Sequence, residues 1–423
     1  LANLGQTLVD IDGERPLNPA SNAKLLTMAA VLSELGPQWR FTTRLYGHVR
    51  GDTVERLVIW SNGDPTLDRS VLLDLAFQLV QRGIKHVGQL LVDQSFFDDK
   101  FVPPAFEQQP NEWATFRAPV SAVAFDSNTV SISVYPAQPD QPASVRTFPP
   151  SFTNVVNVSQ TARSGSKSTI RVLTTAEGPK IKVNVSGSLA SDAGPAMFWR
   201  RADDPRLLAG YALTDILGVL GVTVSNSVDL GAAEKDAVLA QHSSQELATL
   251  VQRLGKDSDN FVAEMLVKAL GAHAMSRPGT SEDGMEVVRR FAEQVHPLEP
   301  GSRLINGSGL YDSNRLSAAL LADVLRHLRR DRRWGPEFLA SLAVAGRDGT
   351  LRTRLNKNVA TSTVRGKTGT LNQVVSLSGY LDVDHATEPW VFSIIVNGIE
   401  KTDLVRQKID EFVEKLIEAV PTQ

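Results

Sequence analysis

Hydrophobic positions change texture three times along this chain. From Ser21 to Leu35 the segment SNAKLLTMAAVLSEL is apolar around nearly its whole circumference, which predicts a helix buried on most sides with Ser21 as its N-cap. Before it, residues 7 to 19 read as a strand, an Asp12-Gly13 turn and an extended return ending at Pro19. Between residues 120 and 190 the pattern becomes period two: Val130, Ile132 and Val134, then Ile170 and Val172, then Ile181, Val183 and Val185. This predicts a β-rich module, flanked by mixed α/β sequence over 45–119 and 190–238.

Helical spacing returns near residue 244, where Leu247, Leu250, Val251 and Leu254 recur at threes and fours before Gly255 stops the run. Further helices are predicted over 262–271, 282–295 and 316–329. Thr361 to Thr370, Val374 to Val383 and Trp390 to Asn397 then predict an antiparallel meander. A last helix over 402–419 is predicted to cover it with Leu404, Ile409, Phe412, Val413, Leu416 and Val420. The plan is a sheet made from both chain ends, a helical lobe, and a long insertion hung on the first helix.

Composition narrows the function classes. At 423 residues the chain is long enough for two or three domains, and 42% hydrophobic with 22% charged residues is a globular mixture. A net charge of -3 gives no positive field for nucleic acid or an anionic membrane. The Arg329-Arg330 and Arg332-Arg333 cluster reads as a solvated helix face. The absence of cysteine excludes disulfides, thiol catalysis and Cys-ligated zinc. The seven histidines are scattered singly, so neither a metal nor another cofactor is expected. Apolar runs such as Ala29 to Leu32 fall far short of the roughly 20 residues of a membrane-spanning helix. The start at Leu1 instead of Met fits a processed or trimmed N-terminus.

Three short motifs carry chemistry. Ser21-Asn22-Ala23-Lys24 sets a hydroxyl and an amine three positions apart at a helix start, on one face. Chance supplies such a pair roughly once or twice in a chain this long, and an N-cap beside a solvated lysine has the same pattern. Here Lys24 sits among apolar residues, and a buried lysine needs a reason. Ser258-Asp259-Asn260 falls in the break between two amphipathic helices, where it either caps the second helix or presents two polar side chains to a cleft. Lys367-Thr368-Gly369-Thr370 lies at the end of a strand, with Lys367 and Gly369 on one face and Thr368 and Thr370 on the other. Small residues there let an extended peptide approach the strand edge.

In this order, on helix, loop and strand, the three motifs are the set found in penicillin-binding proteins and serine β-lactamases. The chain resembles the D-alanyl-D-alanine carboxypeptidase/endopeptidase family typified by penicillin-binding protein 4, the class C penicillin-binding proteins of peptidase family S13. Most of the chain carries the likeness: Pro19-Ala20, Gly63-Asp64-Pro65-Thr66-Leu67, Asn306-Gly307-Ser308-Gly309-Leu310, Ala345-Gly346 with Asp348-Gly349-Thr350-Leu351, and Leu377-Ser378-Gly379-Tyr380. The resemblance implies an α+β fold: a serine β-lactamase/DD-peptidase-like domain, an antiparallel sheet flanked by helices plus an all-helical lobe, with inserted α/β and β-rich domains. The implied boundaries are 1–44 and 239–423 for the catalytic domain, 45–119 and 191–238 for an inserted domain, and 120–190 for a β-rich domain nested within it.

The resemblance also implies roles. Ser21 is the nucleophile and Lys24 its base, provided burial and a nearby cation such as Lys367 depress the lysine. Ser258 relays a proton to the leaving amine, and Asn260 holds the substrate amide and Lys24. Lys367, Thr368 and Thr370 bind the terminal carboxylate beside Gly369, and the Ser21 and Thr370 N–H groups form the oxyanion hole. Asp126, in Phe125-Asp126-Ser127-Asn128, and Asn372 are candidates for the stem peptide's free amino end, and an ordinary turn fits Asp126 as well. Where a basic residue often follows the Gly-Ser-Gly-Leu segment by two positions, this chain has Asp312. The implied partners are peptidoglycan stem peptides, their cross-links and β-lactams, in the periplasm or another extracytoplasmic space. Two other readings share the motifs: a serine β-lactamase, although no Glu-x-x-Leu-Asn element is present, and a non-catalytic penicillin-recognising sensor or wall-binding protein.

Overall fold

The computed structural model describes residues 2–3, 6–234, 236–275, 277–356, 363–382 and 389–419. Thr361 and Val383, at the ends of predicted strands, and Val420 of the last helix lie outside them. The architecture is α+β. The chain divides into two compact units: Leu1–Arg40 with Pro103–Gln108 and Gln245–Gln423, and Phe41–Val102 with Gln109–Ser244.

In the first unit a six-stranded sheet runs in the order Ala343–Val344, Val364–Leu371, Val374–Leu381, Trp390–Asn397, Ala2–Asn3, Gln6–Thr7. Every neighbour is antiparallel, so both chain ends build one sheet. The strand Val374–Leu381 is buried along its whole length, as its mainly apolar and small residues require. The Tyr380 hydroxyl donates to the Leu325 carbonyl at 2.7 Å, tying the helix Ala318–Arg330 to the sheet.

The last helix, Thr402–Ala419, buries Ile409, Val413, Leu416 and Ile417. Leu404 and Phe412, predicted on the same face, are 49% and 41% exposed. Spacings of four and three carry the stripe back to Val405, which packs on this core, and Phe412 lies about 100° around the helix from Val413. The helix Lys24–Leu35 is buried from Lys24 to Leu32, with Leu247–Asp257, Asn260–Ala274, Ser281–Val295 and Ala318–Arg330 packed around it. Asp259, Thr280 and Ser317 cap three of these helices by accepting from the N–H three residues on.

Two predictions at the N-terminal end are corrected. Strand structure ends at Thr7, and beyond it the Asp10 carboxylate takes the Gly13 N–H at 2.9 Å, a local bond that replaces a ladder. Leu17 returns only as a single bridge to Leu316. Ser21 is not an α-helical N-cap either. It lies inside a 3₁₀ turn, Ala20–Ala23, and the α-helix begins at Lys24.

The second unit is built on a mixed sheet ordered Thr223–Val224, His86–Asp93, Thr53–Ser61, Thr42–Gly47, Ala237–Ser243. Thr53–Ser61 and His86–Asp93 are parallel, joined through the helix Arg69–Gln81. The period-two region forms three small sheets. Its inward residues Val130, Ile132, Val134, Val183 and Val185 are fully buried and share one apolar core with Leu57, Ile59, Leu90 and Val92 of the mixed sheet.

Candidate active site

The 3₁₀ turn at Ser21 has a chemical consequence. Side chains three apart eclipse in a 3₁₀ helix, so the turn stacks Ser21 directly over Lys24. Lys24 Nζ donates to Ser21 Oγ at 3.0 Å, to Asn260 Oδ1 at 2.7 Å and to the Ser308 carbonyl at 2.6 Å. Ser21 is half-buried, whereas Lys24 is wholly buried. Burial lowers the Lys24 pKa from 10.5 to about 7, against the opposing pull of Glu264 and Asp259.

The turn is held from the sheet side. Gly369 lies beneath it: a Cβ there would stand 2.2 Å from Ser376 Oγ and 2.9 Å from the Pro19 carbonyl, so only glycine fits. Ser376 Oγ donates to that carbonyl at 2.7 Å. The Asn22 amide lies 2.7 Å from both the Ser378 hydroxyl and the Lys367 carbonyl, and turning its nitrogen toward Lys367 satisfies both. Gly309, with φ +72, closes the other side, where a Cβ would overlap the Ala20 carbonyl.

Lys367 is buried, and its Nζ donates to Ser258 Oγ at 2.8 Å and to the Thr368 carbonyl at 2.8 Å. Burial, reinforced by the Lys24 charge, drives its pKa well below 10.5. Ser258 ends the helix Leu247–Asp257 in the left-handed region at φ 59, ψ 37. That is a costly conformation for a serine, of the kind that concentrates at functional sites. Capping of the next helix falls to Asp259, which leaves the Ser258 hydroxyl for Lys367 and the Asn260 amide for Lys24. Thr368 Oγ1 bonds Thr350 Oγ1 at 2.8 Å, while Thr370 and Asn372 are exposed at the strand end and in the following turn.

The first unit therefore gathers Ser21, Lys24, Ser258, Asn260, Lys367, Thr368, Gly369 and Thr370 from three distant stretches of sequence. Asp126 belongs to the second unit, where it opens three successive left-handed residues, Asp126, Ser127 and Asn128. Burial, with Asp68 beside it and Arg69 opposing, lifts its pKa to about 6. Asp312 is paired with Arg315 at 2.6 Å. Among the described residues, no group of three or more His, Cys, Asp or Glu is placed to hold a metal ion.

Sequence reasoning missed Glu264. This carboxylate is buried in the helix Asn260–Ala274 and accepts the Ser308 N–H at 2.8 Å and the Gly307 N–H at 3.4 Å. Its signal was available, since Glu264 stands in an apolar run, Phe261 to Val267, as Lys24 does in its own helix. Thr350 and Asn22 were read only as neighbours within motifs.

Chemically, the arrangement offers a hydroxyl touching a buried amine of depressed pKa, and a second hydroxyl touching a second buried amine. Both lie beside the strand Val364–Leu371, whose neighbour Ala343–Val344 pairs only with Arg365 and Gly366, and which runs out into exposed Thr370 and Asn372. That is the equipment of acyl transfer.

Known proteins resemble this chain along most of its length. A D-alanyl-D-alanine carboxypeptidase from Actinomadura sp. (strain R39) is 33% identical over 414 residues, covering 93% of this chain and 76% of that protein. The crystal structure of penicillin-binding protein 4 (dacB) from Haemophilus influenzae matches at TM-score 0.80 and 23% identity, covering 97% of this chain and 93% of that one. The same protein complexed with a β-lactam matches at TM-score 0.75 with the same coverage. A predatory peptidoglycan endopeptidase from Bdellovibrio bacteriovorus shares the fold at TM-score 0.54 and 16% identity, covering 97% and 88%. A family match over residues 2–416 spans nearly the whole sequence, and the chain belongs to the D-Ala-D-Ala carboxypeptidase 3 (S13) family.

Proposed function

We propose that this chain is a serine-type D-alanyl-D-alanine carboxypeptidase that also cleaves the D-alanyl cross-links of peptidoglycan, through an acyl-enzyme on Ser21. The observation that carries the reading is the 3.0 Å contact between Ser21 Oγ and the Nζ of a wholly buried lysine poised near pH 7. A general base is most useful when its pKa lies close to the working pH.

Neutral Lys24 takes the Ser21 proton as Oγ attacks the penultimate D-Ala carbonyl. The Ser21 and Thr370 N–H groups receive the oxyanion, and Asn260 holds the substrate amide. When the C–N bond breaks, Ser258 passes its proton to the departing amine and takes in its place the proton that Lys24 had accepted, which leaves Lys24 neutral again. Lys367, Thr368 and Thr370 bind the terminal carboxylate. Water then cleaves the ester and regenerates Ser21. Carboxypeptidase and endopeptidase reactions share this acyl half and differ only in the amine that leaves, free D-alanine or a cross-linked peptide.

β-Lactams acylate the same serine in this reading, which the β-lactam complex of the Haemophilus influenzae relative supports. Asp126 and Asn372 contact the stem peptide. Residues 1–44 and 239–423 form the catalytic domain, with 45–119 and 191–238 as an insertion and 120–190 nested in it. Peptidoglycan places the working enzyme outside the cytoplasmic membrane. Among the described residues, no helix is long and apolar enough to cross a membrane.

The test is to incubate the purified chain with a D-Ala-D-Ala peptide and with cross-linked peptidoglycan fragments. Released D-alanine and split cross-links, both lost in Ser21→Ala, support the proposal. Penicillin labelling without any turnover would sink it and favour a sensor.

A further inference from the structure

Glu264 has no part in the scheme above, yet it is as deeply buried as either lysine. It sits one helical turn after Asn260, the residue that holds Lys24 Nζ at 2.7 Å. Its Oε1 accepts the Ser308 N–H at 2.8 Å, and the Ser308 carbonyl in turn accepts from Lys24 Nζ at 2.6 Å. One residue therefore connects the carboxylate to the base. The same turn is pinned by Thr27, whose hydroxyl donates to the Gly307 carbonyl at 2.8 Å, and by Asn306, whose Oδ1 accepts the Gly309 N–H at 2.9 Å.

We infer that Glu264 is a positioning residue for the general base: its carboxylate fixes the Gly307-Ser308 turn that grips Lys24 and places a buried negative charge on the far side of that turn. This rests on the assignment of Lys24 as the base of Ser21.

The charges around Lys24 make Glu264 the relevant partner. From the helix Asn260–Ala274 come Glu264 and, one turn farther along, buried Lys268. Asp259, at the start of that helix, is already paired with Arg253 of the preceding helix at 3.0 Å. The sheet contributes Lys367, which repels. The Asn306 to Leu310 segment contributes no ionisable side chain. The helix Ser281–Val295 turns Gly284, Met285, Val288, Phe291 and Ala292 inward, while its Glu286, Arg289, Arg290 and Glu293 pair among themselves. The inward side chains of Ala318–Arg330 are Leu320, Leu321, Val324, Leu325 and Leu328, and those of Leu247–Asp257 are Leu247, Leu250, Val251 and Leu254.

Burial disfavours the Lys24 ammonium, and Glu264 offsets part of that effect. Lys24 in turn helps hold the proton off Glu264, whose own burial pushes its pKa up. Removing the carboxylate charge therefore lets Lys24 lose its proton at lower pH. The sign separates this role from packing, because a packing defect slows the reaction without moving its pH dependence.

The experiment measures the rate of acylation by a reporter β-lactam against pH for the wild type, Glu264→Gln and Glu264→Asp. The acid limb is expected to move down by about one pH unit or more in Glu264→Gln, and to stay closer to the wild type in Glu264→Asp. A Glu264→Gln profile that superimposes on the wild type, even when uniformly slower, overturns the inference. Carbon-13 NMR of glutamate-labelled wild-type protein, with Glu264 assigned from the variants, or from Glu264→Asp alone if the glutamine variant does not fold, provides a readout free of turnover. An ionised Glu264 at pH 7 is expected, and a protonated one contradicts the role. Wild-type protein that is neither labelled nor able to release D-alanine condemns the assignment of function instead, and the NMR measurement still judges Glu264.

Discussion

Both units bury charged groups, but in different company. In the second unit Asp64 and Asp93 are buried near strand ends, and each uses one oxygen on the N–H and hydroxyl of the residue two positions on, Thr66 and Ser95. These are local turns, legible within four residues of sequence. In the first unit Lys24, Glu264 and Lys367 come from three distant stretches, and each perturbs or holds another's neighbour. A buried carboxylate with one oxygen closing its own turn, as in both, shapes the chain, and the second oxygen of Asp93 adds the Ala233 N–H at 2.9 Å. Buried charges that converge from afar and leave one another strained make a reactive site.

The largest test of that contrast is deletion within the convergent set. Ser21→Ala and Lys24→Ala are expected to lower kcat for D-alanine release by about 10⁴-fold or more, since residues that act as a unit fail together. Loss of less than tenfold in either would break the distinction. In the second unit, Phe152→Ala empties a site that is 1% exposed. It is expected to cost about 3–5 kcal/mol in denaturant unfolding while the acylation rate per folded molecule stays within twofold.

A third test uses pH. With Lys24 near 7 and needed neutral, acylation should fall about tenfold per pH unit below that point and level off above it, in rates measured from pH 5 to 9. A flat profile contradicts Lys24 as the base. The smallest effect is expected at Thr350, whose hydroxyl bonds that of Thr368 at 2.8 Å. Thr350→Ala should raise KM about three- to tenfold with kcat little changed, by loosening the grip on the substrate carboxylate.

The same contrast explains what the sequence disclosed. The C-terminal strands of the sheet were readable because Val374 to Leu381 and Trp390 to Asn397 are mainly apolar runs, whereas the N-terminal strands Ala2–Asn3 and Gln6–Thr7 are too short to show a period. The buried helix was readable because nothing polar but Lys24 and Thr27 occurs from Lys24 to Leu32. The 3₁₀ turn was not, since Ser21 before a helix looks like any N-cap until Gly369 and Gly309 are seen closing on Pro19 and Ala20. Leu404 was misplaced because the step of five from it to Ile409 leaves it about 140° around the helix from the buried stripe. Glu264 escaped because a search by motif stops at Asn260, although the charge-in-an-apolar-helix argument that singled out Lys24 applies four residues later.

The most direct measurement is mass mapping of the covalent adduct after the protein is mixed with a β-lactam and digested. The account predicts one equivalent of added mass, confined to the peptide carrying Ser21 and absent from Ser21→Ala. An adduct on Ser258 or elsewhere, or one that persists in Ser21→Ala, would contradict it.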